Sequence, residues 1–238
     1  MSFRPNIRLT LFTLALMPLL VGLGCWQLQR AEEKRVLARD FATRMALPPE
    51  PLEQLTAAQR EDYRPVWVTG VADEAHQLLL DNQLLRGRFG YQVLTPVVLN
   101  SGDLVLLNRG WVAGDPSRRQ LPAIPPLAPG PLQGHIHTPS QRGLSLPLAR
   151  QSTWPRVIQR LPDAPLAEWY GAAPLPFTVR LEAGDRSALQ VDWQPVNLRP
   201  ETHTGYAVQW FSMAAALLLL YIAASTDLWQ RWRQHRRK

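Results

Sequence analysis

Two long apolar stretches constrain the fold of this chain more than any other feature. Residues 9–28 (LTLFTLALMPLLVGLGCWQL) and residues 206–224 (YAVQWFSMAAALLLLYIAA) contain no charged side chain. At a rise of about 1.5 Å per residue, a helix of about 20 residues crosses a hydrocarbon core about 30 Å thick. Charged residues recur every few positions between the two stretches. The sequence therefore predicts two transmembrane helices and no third.

The positive charge of the chain lies outside the two apolar stretches. Of the formal net charge of +7 at pH 7, residues 1–8 and 225–238 together carry +6, and residues 29–205 carry +1. Basic ends next to membrane spans are retained in the cytoplasm, where anionic lipid headgroups attract them. We therefore expect two cytoplasmic termini, membrane lipid as a partner, and one domain outside. Because the charge is not clustered on that domain, nucleic-acid binding is not expected.

The first apolar stretch has two alternative interpretations, a cleaved signal peptide and a lipoprotein site at Gly24-Cys25. A signal-peptide core usually has about 7 to 15 residues and ends at small residues, whereas this stretch is longer and ends in Trp26-Gln27. A lipoprotein site would prefer Leu three residues before the Cys, where the chain has Gly22. We therefore expect an uncleaved anchor. No Arg- and Ser-rich presequence precedes it, which predicts a bacterial inner (plasma) membrane protein with a periplasmic domain.

The sequence between the spans (29–205) predicts a helix followed by a β-rich domain. Good helix formers follow the first span, and the prolines at 48, 49 and 51 are expected to end that helix. Cys25 is the only cysteine, so packing alone must stabilise the domain. Runs of β-branched, leucine and aromatic residues predict strands at 65–71, 77–82, 91–99, 104–108, 133–137, 156–160 and 177–182, with a short helix at 166–170.

These segments predict an α+β membrane protein. Two transmembrane helices flank an extracytoplasmic domain built as a mainly antiparallel sheet or partial barrel with a few helices. The strands around Ser101-Gly102 are expected to form a hairpin, and the proline-dense residues 115–131 a surface loop. Arg109-Gly110-Trp111 is expected to form a structural corner after the 104–108 strand, because Gly110 permits a bend and Trp111 buries a large ring.

Few residues between the spans suggest chemistry. His135 and His137 would place two imidazoles on one face of a strand, but no third or fourth ligand stands near them, so a metal site is not expected. The chain has no Gly-x-Ser-x-Gly elbow, phosphate-binding glycine loop, His-Glu-x-x-His motif or cysteine pair. We therefore expect no catalytic residues and no enzyme.

His203 is distinguished by its position just before the second span, at its outer end. The topology places residues 22–27 at the same depth, where Gly22 and Gly24 would let a flat ligand or another helix approach closely. Such an imidazole can ligate a haem, although a solvated histidine in an ordinary interfacial aromatic belt is the alternative that spacing alone favours. The residues expected on one helical face with it are Tyr206, Ala207, Trp210 and Ala214.

Five short motifs occur in this order along the chain: LGCWQLQRAEEK, VTGVAD, GYQVLTPV, VLLNRGWV and HTGYAVQWFSMA. Together they resemble the surfeit-locus (Surf/Shy type) family of cytochrome c oxidase assembly factors. The parts most specific for the family lie at 24–30, 108–111 and 203–211, whereas residues from about 115 to 195 contain no motif of the family. Outside the last motif, the motif residues are Gly24, Trp26, Gln27, Arg30, Asn108, Arg109, Gly110 and Trp111.

The resemblance implies a role in maturing an aa3-type haem-copper oxidase, in or near delivery of haem a to the catalytic subunit, without catalytic turnover. In that family a histidine at the head of the second span is the candidate axial ligand of the haem iron, and His203 holds that position with Tyr206 and Trp210 beside it. The resemblance thus favours haem binding. The implied partners are the catalytic subunit and the haem A synthesis machinery. A cofactor-free scaffold that stabilises the nascent oxidase subunit remains the alternative.

Overall fold

The computed structural model describes residues 6–140, 153–161, 164–193 and 199–226. The chain divides into two compact units. One comprises Met1–Asp40 with Pro195–Lys238 and is called the helical unit below; the other, Phe41–Gln194, is called the sheet domain. The predicted cytoplasmic segments 1–8 and 225–238 lie largely outside the described residues. The α-helices are α1 (Ile7–Met45), α2 (Leu166–Tyr170) and α3 (Pro200–Ser225).

Helices α1 and α3 are both long and apolar enough to cross a membrane. Helix α1 continues well past the apolar residues 9–28, as the run of helix-forming residues predicts, and it ends at Met45, before the three prolines. On its polar part, Arg30 pairs with Glu33 at 2.6 Å and Arg35 with Glu32 at 3.1 Å. Such i,i+3 ion pairs support a helix that leaves the apolar layer.

The two long helices pack antiparallel within the helical unit. Near one end, the hydroxyls of Thr10 and Tyr221 are 3.0 Å apart, and near the other, Gln27 hydrogen-bonds to His203. If both helices span the membrane, both chain termini therefore lie on the same side. Small side chains dominate the contact, which allows close backbone approach where lipid gives no hydrophobic driving force. The buried residues are Thr13, Leu20, Gly24, Ala31, Ala207, Ala214 and Ser225.

The sheet domain contains one nine-stranded mixed sheet. Along the sheet, β1 pairs in sequence with β2, β7, β9, β6, β5, β4 and β8, while β3 pairs separately with β5. Five pairings are antiparallel, and three (β1–β2, β4–β8 and β6–β9) are parallel. The strands are β1 (Glu50–Pro51), β2 (Pro65–Val68), β3 (Gly70–Ala72), β4 (Leu78–Leu85), β5 (Arg88–Leu99), β6 (Leu104–Ala113), β7 (Leu132–His137), β8 (Arg156–Ile158) and β9 (Thr178–Leu181).

The structure confirms the α+β class and the mainly antiparallel sheet. The hairpin between β5 and β6 turns at Ser101-Gly102, where Gly102 has φ +89°. The short helix predicted at 166–170 is α2. Two strand predictions need correction: the 65–71 segment is two strands broken at Thr69, and the 104–108 strand continues to Ala113. Arg109-Gly110-Trp111 therefore lies inside β6 and not at a corner after it.

The continuation of β6 is made possible by a β-bulge. Val93 pairs with Gly110 and Leu94 with Asn108, so Arg109 is the extra residue in the ladder. Gly110 has φ +106°, a conformation that favours glycine, and a Cβ there would lie 2.7 Å from the Gln190 carbonyl oxygen. Beyond the bulge, Trp111 donates its backbone N–H to that same oxygen at 2.7 Å. Arg109-Gly110-Trp111 thus changes the direction of β6 and does not end it.

The sheet is packed on both faces. One face buries the larger core, which includes Val66, Val97, Leu107, Ile136 and Val179. On the opposite face, α2 and neighbouring segments cover Leu78, Leu94, Leu106 and Ile158. Strand alternation accounts for this division, because Leu106 and Leu107 are consecutive in β6 and point to opposite faces.

Candidate functional site

His203 lies in the first turn of α3, which begins at Pro200. Proline suits the start of a helix because its missing N–H would have no partner there. The His203 side chain is partly buried, and its Nδ1 is 2.8 Å from Oε1 of Gln27 on α1. Two residues from separate sequence motifs, far apart along the chain, are therefore in direct contact.

This contact defines the free edge of the imidazole. The Gln27 amide presents its oxygen Oε1 to the ring, and an amide oxygen can only accept. Nδ1 therefore donates, and the neutral ring carries its proton on Nδ1. Nε2 then has a lone pair, and within the described part of the chain it makes no hydrogen bond. A histidine whose one nitrogen is held by a hydrogen bond and whose other nitrogen is available has the arrangement found in metal-ligating histidines.

The aromatic residues predicted beside His203 are not equivalent. Trp210 is partly buried, and Ala207 and Ala214 are buried toward α1. Tyr206 is 49% exposed and lies outside that buried stripe. The predicted single face is therefore divided into a helix-contacting stripe and an outward residue. Tyr206 can approach a ligand only from the exposed side of α3.

The two glycines expected to admit a ligand or a helix also differ. A Cβ on Gly24 would come within 2.7 Å of the Phe211 ring, so the space beside this glycine is filled by α3. Gly22 has no heavy atom within 4 Å of such a Cβ and lies on an exposed part of α1. Gly24 thus serves helix packing. Of the two possibilities raised by the sequence, the close approach of another helix is the one seen there.

The remaining motif residues of α1 form an exposed pair. Trp26 is 49% exposed, and the guanidinium carbon of Arg30 lies 6.0 Å from its ring centroid. Neither residue contacts His203 in the described hydrogen bonds and ring contacts. Sequence reasoning missed a second link between the helices, in which Arg35 donates to the Thr204 hydroxyl at 3.2 Å. No spacing in the sequence indicates this contact, because it joins two helices through positions that are distant in sequence.

The Asn108–Trp111 motif lies in the sheet domain and is structural. Arg109 is 1% exposed and donates three hydrogen bonds to backbone carbonyls: Nε to Ser187 at 3.0 Å, and its two terminal nitrogens to Pro125 at 2.7 Å and Pro126 at 3.2 Å. Burial lowers the pKa of Arg109 below its usual range, while the negative charges of Glu74 and Asp185 oppose the shift. Arg109 therefore holds the proline-rich loop against the sheet.

The neighbouring motif residues complete this arrangement. The Asn108 side chain accepts from the Gly110 N–H at 3.1 Å and donates to Gln92 at 2.8 Å. The Trp111 ring is buried, and its Nε1–H donates to the Gln83 carbonyl at 2.9 Å. These bonds fix the bulge in β6 to β4 and β5. The motif residues of the sheet domain thus stabilise the fold.

His135 and His137 have separate environments. His135 is buried, and its Nδ1 lies 2.9 Å from a carboxylate oxygen of Glu182. Burial beside the positive charge of Arg180 lowers the pKa of His137 to about 4. Among the described residues there is no group of three histidine, cysteine, aspartate or glutamate side chains that could hold a metal ion.

Comparison with known proteins identifies the family. A family model described as the SURF1 family matches residues 14–215, which include most of α1, the sheet domain and the first part of α3. A SURF1-like protein of Drosophila melanogaster is 29% identical over 220 residues, covering 84% of this chain and 72% of the relative. A SURF1-like protein of Dictyostelium discoideum is 30% identical over 105 residues, covering 40% of this chain and 39% of the relative. This chain belongs to the SURF1 family.

Proposed function

We propose that this chain is an assembly factor for an aa3-type cytochrome c oxidase that binds haem a and aids its delivery to the catalytic subunit. Membership of the SURF1 family, whose members are cytochrome oxidase assembly factors, supports the assembly role. The observation that carries the haem proposal is the His203 imidazole, oriented by Gln27 through Nδ1 and with Nε2 available. The role requires no catalytic turnover.

The residues around His203 suit haem as a cargo. Imidazole nitrogen is a common axial ligand of haem iron, and a hydrogen bond to the other ring nitrogen fixes the tautomer and the ring orientation. Tyr206 and Trp210 lie about one helical turn and two turns along α3 from His203 and carry large apolar rings. A single strong protein ligand holds the haem while leaving it transferable. Haem a, when bound, brings the iron that accepts the Nε2 lone pair.

The proposed location is the inner membrane of a bacterium. The two helices that can span a membrane are antiparallel, and the basic ends of the sequence favour cytoplasmic termini. The sheet domain would then lie in the periplasm, with His203 at the outer membrane surface. The proposed partners are the oxidase catalytic subunit and the haem A synthesis machinery, both of which handle haem a at the membrane.

A cofactor-free scaffold is the second candidate, and the same hydrogen bond favours it. Gln27 and His203 join α1 to α3, so the two residues stabilise the helix pair even when no ligand is present. Arg35 and Thr204 add a second bond of this kind. In this role the helical unit and the sheet domain would stabilise a nascent oxidase subunit by contact alone.

The decisive cellular experiment compares histidine variants in a strain that lacks this gene. The strain is complemented with the parent, with His203→Ala or with His76→Ala, a control that removes an exposed histidine of the sheet domain. Purified oxidase is then assayed for haem a per enzyme. We expect His203→Ala to accumulate in the membrane and to yield oxidase with less haem a, and the control to match the parent.

Two outcomes would reject parts of the proposal. Normal haem a content with His203→Ala would reject a haem role for this residue and favour the scaffold. Normal oxidase in the strain without the gene would reject the assembly role itself. Protein level in the membrane is measured in parallel, so that loss of the variant is not mistaken for loss of function.

A further inference from the structure

Two adjoining cavities lie on the α2 face of the sheet domain. The larger has a volume of about 550 Å³ and is mainly apolar, with Leu106, Leu161, Leu166, Leu175 and Phe177 in its wall. The smaller has a volume of about 220 Å³, and most of the residues that line it are polar or charged types, including Gln92, Asn108, His137, Arg160 and Arg180. Pro139, Leu161 and Thr178 line both, so the two cavities share a boundary.

The register of the sheet produces this change from apolar to polar. In β6, Leu106 and Asn108 point to the same face, and in β9, Thr178 and Arg180 do so. Leu106 pairs with Thr178, and Asn108 pairs with Arg180. A step of two residues along both strands therefore leads from the apolar cavity into the polar one. The boundary is set by the core of the domain and not by mobile surface side chains.

The polar cavity carries positive charge. Arg180 has a pKa lowered by burial to about 10, so it remains charged at neutral pH, and its guanidinium lies 4.7 Å from the Trp193 ring centroid. In the described part of the chain, no carboxylate oxygen lies within 4.0 Å of the Arg180 nitrogens. Among the described residues that line this cavity there is no acidic side chain. The Asp62 carboxylate attracts Arg180 from farther away and accepts from the Thr138 N–H at 2.6 Å.

Two buried polar atoms of this wall lack partners. Nδ1 of His137 and Nε of Arg180 are inaccessible to water and have no hydrogen-bond partner among the described residues. Unpaired buried polar groups destabilise a fold, so such atoms are uncommon in folded domains. Because neither atom is accessible, an anion in the cavity would be attracted by the charge of Arg180 and would not bond to these two atoms.

We propose that the two cavities bind an amphipathic organic acid, with its apolar body in the larger cavity and its carboxylate in the smaller one beside Arg180 and His137. Charge complementarity selects an acid over an alcohol or an amine, because charge-assisted bonds to guanidinium are stronger than neutral ones. An acyl chain with a carboxylate and a porphyrin with propionates share this chemistry. The proposal does not depend on haem ligation by His203, because all the residues concerned belong to the sheet domain.

Photolabelling tests the proposal. The probe is decanoic acid bearing a diazirine near its methyl end, applied to the purified full-length chain, and labelled peptides are identified by mass spectrometry. We expect labelling between residues 161 and 178, where the apolar cavity is lined. The matched decanol probe, which lacks the carboxylate, should label this segment about tenfold less, as expected for losing one charged hydrogen-bonded contact.

Three variants separate a site from surface partitioning. Arg180→Gln should reduce labelling about tenfold, and Arg180→Lys should retain part of it. Ala167→Trp places a large ring in the wall of the apolar cavity and should block labelling without removing a core side chain. If Arg180→Gln unfolds, as shown by its thermal transition, Ala167→Trp decides alone. His203→Ala should label like the parent.

Competition distinguishes the two sources of ligand. Displacement of the probe by metal-free protoporphyrin would support a propionate-bearing ligand, and retention of the probe would support an acyl chain. Equal labelling by the acid and the alcohol would overturn the proposal. Labelling unchanged by both Arg180→Gln and Ala167→Trp would also overturn it.

Discussion

Gln27 controls the orientation of His203 because its side-chain oxygen holds Nδ1 at 2.8 Å. Rotation of the imidazole would break this bond and turn Nε2 away from its present direction. The bond is formed between two helices and is partly sheltered from water, which increases its strength relative to a solvated one. The proposed haem ligation therefore depends on two side chains, His203 and Gln27, and not on the histidine alone.

Removing the Gln27 acceptor should weaken haem binding without removing the ligand. We expect Gln27→Leu to lower the affinity for haem a about tenfold, the effect typical of losing the hydrogen-bond partner of a metal-bound histidine. Gln27→Glu keeps an acceptor and should bind more tightly than Gln27→Leu. The measurement is an absorbance titration of the purified chain with haem a.

Gln29→Leu provides the matched control, because Gln29 is an exposed glutamine on the same helix. It should bind haem a as the parent does. If Gln27→Leu and Gln29→Leu gave the same affinity, Gln27 would have no part in orienting the ligand.

His137 makes the stability of the sheet domain depend on pH. Its pKa falls from 6.5 to about 4 on folding, because burial and the charge of Arg180 disfavour the imidazolium, with His135 adding to the effect and Asp62 opposing it. Below pH about 6.5 the unfolded chain binds a proton that the folded chain does not, so stability falls as the pH drops toward 4. His137→Gln should remove this contribution to the loss of stability at acidic pH.

The check is the thermal unfolding midpoint of the full chain at pH 7.5 and 4.5. The fall in midpoint between the two values should be smaller for His137→Gln than for the parent. His76→Gln serves as the comparison, because it removes a half-exposed histidine that pairs with Asp73 and lies outside the His137 environment. An equal fall in the parent and in His137→Gln would show that this imidazole does not govern the acid response.

At the scale of elements, the helix pair depends on close packing at Gly24. The Phe211 ring occupies the position where a larger side chain would lie. Gly22, only two residues away, faces open space on the exposed side of α1. The two glycines therefore offer an internal comparison in which helix propensity is equal and only the contact with α3 differs.

Gly24→Leu should destabilise the helix pair by about 1–3 kcal/mol, the usual cost of overpacking. Gly22→Leu should have little effect on helix pairing. Adding Phe211→Ala to Gly24→Leu should restore part of the loss, because it frees the space the leucine needs. Thermal unfolding midpoints of the four proteins in one detergent provide the comparison. Equal destabilisation by the two leucines would contradict the packing seen at Gly24.

The strand pattern was largely predictable because runs of β-branched, leucine and aromatic residues indicate strands and turn residues mark their ends. β4, β5, β7 and α2 were identified within a few residues in this way. The continuation of β6 was not, because a glycine with positive φ reads locally as a strand end. The pairing of Trp111 with Gln92 and its bonds to Gln190 and Gln83 keep it in the sheet, and all three partners are distant in sequence.

For the site, the sequence indicated His203 and the family, but not how its neighbours are used. Helical periodicity placed Tyr206 and Trp210 on one face with His203. It does not show which part of that face the partner helix covers. The bonds of Gln27 to His203 and of Arg35 to Thr204 join positions that are distant in sequence. The cavities of the sheet domain likewise depend on strand order, which periodicity does not specify.

At the scale of the whole molecule, the antiparallel helix pair and the basic ends together predict the topology. Reporter fusions at Lys238 should be active only in the cytoplasm, and insertions near Pro126, in the proline-rich loop of the sheet domain, only outside it. Active reporters on the opposite sides would overturn this orientation. Activity of both reporters in one compartment would contradict a chain that crosses the membrane twice.

The central claim is that this chain binds haem a through His203, and the absorbance of the purified protein tests it most directly. The parent, His203→Ala and Tyr206→Phe are purified from cells that make haem A, at matched levels in the membrane. The proposal predicts haem a absorbance in the parent, little in His203→Ala and a smaller loss in Tyr206→Phe, which keeps the ring. His203→Ala with the absorbance of the parent would contradict ligation by His203, and a parent without haem would favour the scaffold.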